Sequence, residues 1–164
     1  TSVFPEFSAL ENVALAAQAH AGHSFGIWRP ARLEAALNRP AAQALEEVGL
    51  GHRQQVSAAE LAHGERRQLE LAMALVSHPK LLLLDEPMAG MARGESESMV
   101  RLLASLKGRY TILLIEHDMD AVFALAERIT VLVYGRAIVS GPPEMIRASV
   151  EVKKAYLGER YAAH

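Results

Sequence analysis

Three short stretches carry residue types able to do chemistry. The first is Lys80-Leu-Leu-Leu-Leu-Asp85-Glu86-Pro87, an oily run that stops at two adjacent carboxylates. One acid of such a pair can hold Mg²⁺, directly or through its water, while the other orients or deprotonates an attacking water. The alternative is a buried strand whose final acids greet the amino end of the next helix. The second stretch is Glu116-His117-Asp118, which closes another apolar run. An imidazole there can hydrogen-bond a terminal phosphoryl group, or it can serve as a capping or structural histidine. The third is Leu61-Ala62-His63-Gly64-Glu65, a glycine at the head of a long amphipathic segment. Free amides and the positive dipole end of such a helix attract anions, although many glycines precede helices with no ligand.

These residues need elements to position them. Ser8-Ala-Leu-Glu11 fits a capping box and predicts a helix to about His20. Gly22, Gly26 and Pro30 then punctuate a loop. From Leu33 the apolar residues Ala36, Leu37, Ala41, Ala44, Leu45 and Val48 form one helical stripe, with Gly49 as its stop. Pro40 inside that stripe predicts a kink or two shorter helices. Leu69, Ala72, Met73 and Val76 mark a further helix ending before Pro79.

Residues 81–84 are continuously apolar, which predicts a strand covered on both faces. Met99, Leu102, Leu103 and Leu106 predict a helix closed by Gly108, and residues 111–115 a second strand. Met119, Val122, Phe123 and Ala126 share a helical face, two strands flank a turn at Gly135, and two short helices follow. Strands alternating with helices predict an α/β layer with mostly parallel pairing. In such a sheet ligands bind outside the carboxyl ends of the strands, where Asp85-Glu86 and His117 both fall.

With 164 residues, 51% of them hydrophobic, the chain is long enough for one domain with a real core. A formal charge of −2 gives no support to a nucleic-acid partner. The lack of cysteine excludes disulfides and thiolate metal sites and suits a reducing compartment. No apolar run approaches the roughly 20 residues needed to span a bilayer, and no signal pattern opens the chain. A cytosolic soluble domain is the expectation. The chain begins Thr1-Ser-Val-Phe-Pro without an initiator methionine, which leaves a gene fragment, a processed form and an edited sequence open.

In order and spacing, these stretches resemble the ATP-binding cassette (ABC) family, and within it the cassette subunits of branched-chain amino-acid importers. The resemblance covers essentially the whole chain. Leu61, Ala62, His63, Gly64 and Glu65 align with the signature LSGGQ, and Gln68-Leu-Glu-Leu-Ala-Met-Ala-Leu75 is similar to that subgroup. Residues 81–86 resemble Walker B, 87–92 the D-loop, and His117 the switch histidine. The tail from Gly141-Pro-Pro-Glu to Ala155-Tyr-Leu-Gly158 also resembles the importers.

The resemblance implies an α/β fold: part of a P-loop NTPase (RecA-like) core with a helical signature subdomain. It divides the chain into a helical part at 1–78, the C-terminal half of the core at 79–141 and terminal helices at 142–164. It implies ATP and Mg²⁺ as cofactors, with Asp85 supporting the metal, Glu86 polarising the hydrolytic water and His117 sensing the γ-phosphate. The signature residues would contact ATP held by an opposing cassette, in a homodimer or heterodimer. Transmembrane permease subunits would be the other partners, at the cytoplasmic face of the cell membrane. The implied task is coupling ATP hydrolysis to uptake of branched-chain amino acids, with urea or short amides as the alternative solutes.

The departures are equally specific. No G-x-x-x-x-G-K-[ST] occurs in the chain, and the family's Q-loop glutamine is absent too. The chain therefore looks like a cassette cut just after that glutamine, and the expectation is that alone it does not hydrolyse ATP. By resemblance, the missing strands would leave a gap between the strands at Ile112 and Ile129. Ala62 replaces the signature serine, forfeiting a charge-assisted bond of about 1.5–3 kcal/mol. Ala92 stands where many relatives carry the D-loop aspartate. Ala62 and the missing phosphate loop keep a noncatalytic regulatory or structural module open.

A DNA-repair or chromosome-segregation head would need long heptads and a basic surface, which are lacking. His20 and His23 read as structural or solvated. Trp28, near Phe25 and Ile27, suits either a membrane partner or packing, and Glu46-Glu47 and Arg66-Arg67 read as solvated helix faces.

Overall fold

Helix α1 (Ala9–His20) starts as its sequence dictates. The Ser8 hydroxyl accepts from the Glu11 amide at 3.2 Å, and the Glu11 carboxylate accepts from the Ser8 amide at 2.8 Å. One turn in, Asn12 is wholly buried. Its side chain accepts from the Phe4 amide and donates towards the carbonyls of Phe4, Phe7 and Ser8, so the approach to the helix is stapled by one amide group. Nothing in the apolar spacing marks that role.

Helix α2 (Ala35–Glu47) contains Pro40 and runs as one helix, not as two. The proline forfeits a single backbone bond, while Ala41, Ala44 and Leu45 on the same stripe are buried and hold the helix together. Gly49, at φ +83°, ends it. The Leu50 amide reaches back to the Leu45 carbonyl at 2.8 Å and the Gly49 amide to Glu46 at 3.0 Å, a Schellman stop. Helix α3 (His63–Leu75) packs against both α1 and α2. Val13, Leu45, Val48, Leu50, Leu69, Ala72 and Leu75 form the buried centre. Each large member contributes about 1.5–3 kcal/mol by leaving water.

The structure, a computed structural model, describes residues 3–20 and 35–157. The loop expected around Gly22, Gly26 and Pro30, with His23, Phe25, Ile27 and Trp28, lies outside the described residues, as does Leu33. The chain falls into two units, Thr1–Ile115 and Glu116–His164.

The first unit continues with β1 (Leu81–Asp85), α4 (Arg93–Leu106) and β2 (Thr111–Ile115). Met99, Leu103 and Leu106 are buried on α4, and Gly108 at φ +83° turns the chain into β2. The two strands pair in parallel, Leu81 with Thr111 through Asp85 with Ile115. They are not covered on both faces as the apolar run predicts. Leu82 is buried, whereas Leu83 is 69% and Leu113 57% exposed, with Leu81 and Ile115 on the same bare face. Alternation along a strand sends every second side chain to the opposite face, and here only one face meets the rest of the unit.

The second unit holds α5 (Met119–Leu125), β3 (Ile129–Val133), β4 (Arg136–Gly141), α6 (Pro143–Ala148) and α7 (Val150–Leu157). Tyr134 and Gly135, both at positive φ, make a two-residue hairpin turn, so β3 and β4 are antiparallel and the expected mostly parallel layer is corrected. Ile129, Val131, Ile146 and Val152 are its buried core. Among the described residues β2 pairs only with β1, and β3 only with β4.

The bare leucine face of β1 and β2 is an aggregation hazard. Replacing Leu83 and Leu113 together by threonine should reduce light scattering of the purified chain at fixed concentration. The urea midpoint should hardly move, because neither side chain is buried. Unchanged scattering would show that this face does not drive association.

Candidate functional site

The β1–β2 ladder does not stop at Asp85. The Glu86 amide donates to the Ile115 carbonyl at 2.9 Å, and the chain then turns left-handed at Glu86, φ +44°. A residue with a Cβ costs about 1–2 kcal/mol in that conformation, and such strain gathers at functional sites. A tight turn follows, with the Ala89 amide on the Glu86 carbonyl at 3.0 Å and the Met91 amide on Met88 at 3.2 Å. Met88 is buried and pins the turn. Asp85 and Glu86 are both exposed. Because one closes a strand and the other opens a turn, adjacent acids stand in different backbone environments.

Asp85 can offer a hard oxygen ligand to a cation, and no cluster of three His, Asp or Glu side chains exists among the described residues. A single exposed carboxylate fits Mg²⁺, which keeps water and phosphate oxygens as its other ligands.

Ala62 is the N-cap of α3 and has no side-chain oxygen for the helix's free amides. The other half of a capping box is present: Glu65 accepts from the Ala62 amide at 2.9 Å. Glu65 is also ion-paired to Arg53 at 3.2 Å, so its carboxylate is engaged within the chain. Leu61 is buried, and its carbonyl accepts from Arg66 Nε at 3.1 Å. Arg66 also donates to the Ala59 carbonyl at 2.7 Å. It therefore braces the entry to α3 and is not simply a solvated charge.

Gly64 is buried against α4, and a Cβ there would stand 3.0 Å from Glu95 Oε1. The Glu95 carboxylate in turn accepts from the Ala92 amide at 3.0 Å. His63, one residue earlier, places Nε2 3.1 Å from the Ala89 carbonyl oxygen. The start of α3 is thus in direct contact with the turn after β1 and with the first turn of α4, within the first unit. Ala92 caps α4 as Ala62 caps α3, each with a glutamate three residues on. That A-x-x-E spacing is readable in the sequence as a capping box without its hydroxyl.

His117 belongs to the second unit, its side chain 71% exposed. Its amide donates to the Glu116 carboxylate at 3.1 Å, and its Nδ1 lies 3.9 Å from the same oxygen. That carboxylate is 2% exposed, a buried acid behind the imidazole that the spacing does not single out. Asp118 caps α5 through the Asp120 and Ala121 amides. Of the weaker candidates, His20 ends α1 and is exposed, Arg67 pairs with Glu70, and Glu47 pairs with Arg109 at 2.7 Å, tying α2 to the segment after α4.

The sequence pattern of the family described as ABC transporter matches residues 1–89, more than half of the chain. The chain belongs to the ABC transporter family. It is 40% identical over 164 residues to the high-affinity branched-chain amino acid transport ATP-binding protein BraF of Pseudomonas aeruginosa, covering 96% of this chain and 64% of that protein. The equivalent protein LivG of Escherichia coli is also 40% identical, over 166 residues, with the same coverage. A solved ATP-binding cassette of an ABC transporter superposes with a TM-score of 0.78 at 28% identity, over 93% of this chain and 63% of that one. The chain thus has the fold of ABC ATPase cassettes and spans just under two thirds of the curated relatives it matches.

The missing cap oxygen gives a direct test in this ABC chain. Ala62→Ser should raise stability by about 1 kcal/mol in urea unfolding. No gain would show that the first amides of α3 are already satisfied.

Proposed function

We propose that this chain is part of the ATP-binding subunit of an ABC importer that takes up branched-chain amino acids. The observation that supports this most is the 40% identity, across 96% of the chain, to proteins named for branched-chain amino acid transport. A urea or short-amide importer remains the runner-up, because cassettes seldom touch the solute.

Asp85 would hold Mg²⁺ with phosphate and water, which supplies charge neutralisation when bound. Glu86, turned out of the ladder by its left-handed backbone, would accept a proton from the attacking water. His117 would donate to the terminal phosphoryl group, its backbone amide held by the Glu116 carboxylate. Leu61, Ala62, His63, Gly64 and Glu65 would present the start of α3 to ATP held by a second cassette. Leu61 and Gly64 are buried, and the free backbone amides at the start of α3 would be the groups offered to the phosphates. Partners are a second cassette and permease subunits, and the site of action is the inner face of the cell membrane. No described helix is long and apolar enough to cross a membrane.

The chain carries no lysine-bearing phosphate loop of its own. By itself it should neither grip nor hydrolyse ATP. Isothermal titration with Mg-ATP should show no binding in the low micromolar range, and a dissociation constant in that range would defeat the expectation.

In the full-length parent, assembled with its permeases, leucine uptake driven by ATP tests the whole proposal. Glu86→Gln should lower turnover by about 100-fold or more, the scale of a lost general base, while ATP stays bound. Normal turnover in that variant would remove Glu86 from its role. Background turnover in the unmodified parent would favour a noncatalytic module.

A further inference from the structure

His63 stands where the signature LSGGQ has a glycine. A glycine could make no side-chain bond, so the imidazole adds a contact that the signature pattern itself does not supply. It is the first residue of α3, exposed, and its Nε2 is 3.1 Å from the carbonyl oxygen of Ala89, 26 residues away. A carbonyl only accepts, so Nε2 carries the proton in this contact; neutral imidazole with its proton there, and imidazolium, both satisfy it. The acceptor sits in the middle of the turn that begins at the strained Glu86. Gly90, the next residue, has φ +75° and passes so close that a Cβ would come within 3.4 Å of the same nitrogen. On the other side of that turn, Gly64 rests against Glu95, which caps the first turn of α4.

We propose that His63 is a positioning residue: its Nε2–H···O bond to Ala89 fixes the turn carrying Glu86 to the amino end of α3. The His63–Ala89 and Gly64–Glu95 contacts bracket the segment from Ala89 to Glu95, and the Ala89 amide is bonded to the Glu86 carbonyl, so the water-activating acid and the surface offered to a second cassette move as one body. The turn also has two backbone bonds of its own and the buried Met88, and the histidine bond adds a link from it to α3. The consequence for turnover rests on the cassette function proposed above; the positioning itself does not.

Residue-resolved amide exchange on the purified chain tests it. His63→Ala should speed exchange of the Ala89 and Met91 amides about three- to tenfold, the scale of one exposed hydrogen bond. Amides of α1 and α2 should be unchanged. His63→Gln, whose side-chain N–H can reach a carbonyl, should restore protection. A long-range ¹H–¹⁵N spectrum should show the His63 proton on Nε2. Unchanged exchange at Ala89 and Met91, equal acceleration throughout α1 and α2, or a ring protonated only at Nδ1 would each overturn the proposal. In the assembled parent, His63→Ala should lower kcat about three- to tenfold, with KM for ATP little changed. A parent without any turnover would defeat the importer proposal while leaving the exchange result intact.

Discussion

The Glu86 amide donates to the Ile115 carbonyl at 2.9 Å, one residue beyond the paired run of β1. That bond holds the chain in extended register up to the moment it must leave the sheet. The departure is made through a left-handed glutamate at φ +44°, not through a glycine. Strain of about 1–2 kcal/mol is tolerated there because the ladder behind and the buried Met88 ahead over-determine the geometry. The bend leaves Asp85 at the end of the strand and Glu86 in the turn, and it delivers Ala89 to His63.

Around the bend the same device is used twice. Helices α3 and α4 both start at an alanine, and both have a glutamate in the first turn that reaches back to the alanine amide. The reciprocal hydroxyl or carboxylate is missing from each. By resemblance, these positions carry a signature serine and a D-loop aspartate in many ABC relatives, residue types that can also cap a helix. At Ala62 and Ala92 the structure shows the capping half of that loss: neither makes a side-chain cap bond. Glu65 and Glu95 preserve the helix starts, and Arg53 and Arg66 brace α3 from the other side.

The parallel pair β1–β2 shows the opposite situation. Parallel strands normally lie between two covering layers, yet Leu81, Leu83, Leu113 and Ile115 stay exposed on one face. The second unit is different in kind. Its hairpin needs only two residues at positive φ to reverse, and its core of Ile129, Val131, Ile146 and Val152 closes on α6 and α7. Phe123 and Arg147 add a cation–π contact at 3.9 Å within that unit.

The sequence by itself determined what depends on neighbours in the chain. The Ser8–Glu11 cap, the Gly49 stop, the runs that become β1 and β2 and the Gly135 hairpin are all local, because each is settled within a few residues by side-chain spacing or by φ. The family resemblance was legible for the same reason: the stretches that carry it, Leu61 to Glu65, Asp85-Glu86 and His117, are short and ordered along the chain. Only the tertiary structure decided that α2 survives Pro40, that β1 has one bare face, and that Asn12 and the side chain of Glu116 are buried. It alone joined His63 to Ala89 and Gly64 to Glu95, and gave Arg66 carbonyls to hold. Burial and long-range hydrogen bonds depend on which surfaces meet after folding, and no periodicity along the chain encodes that meeting.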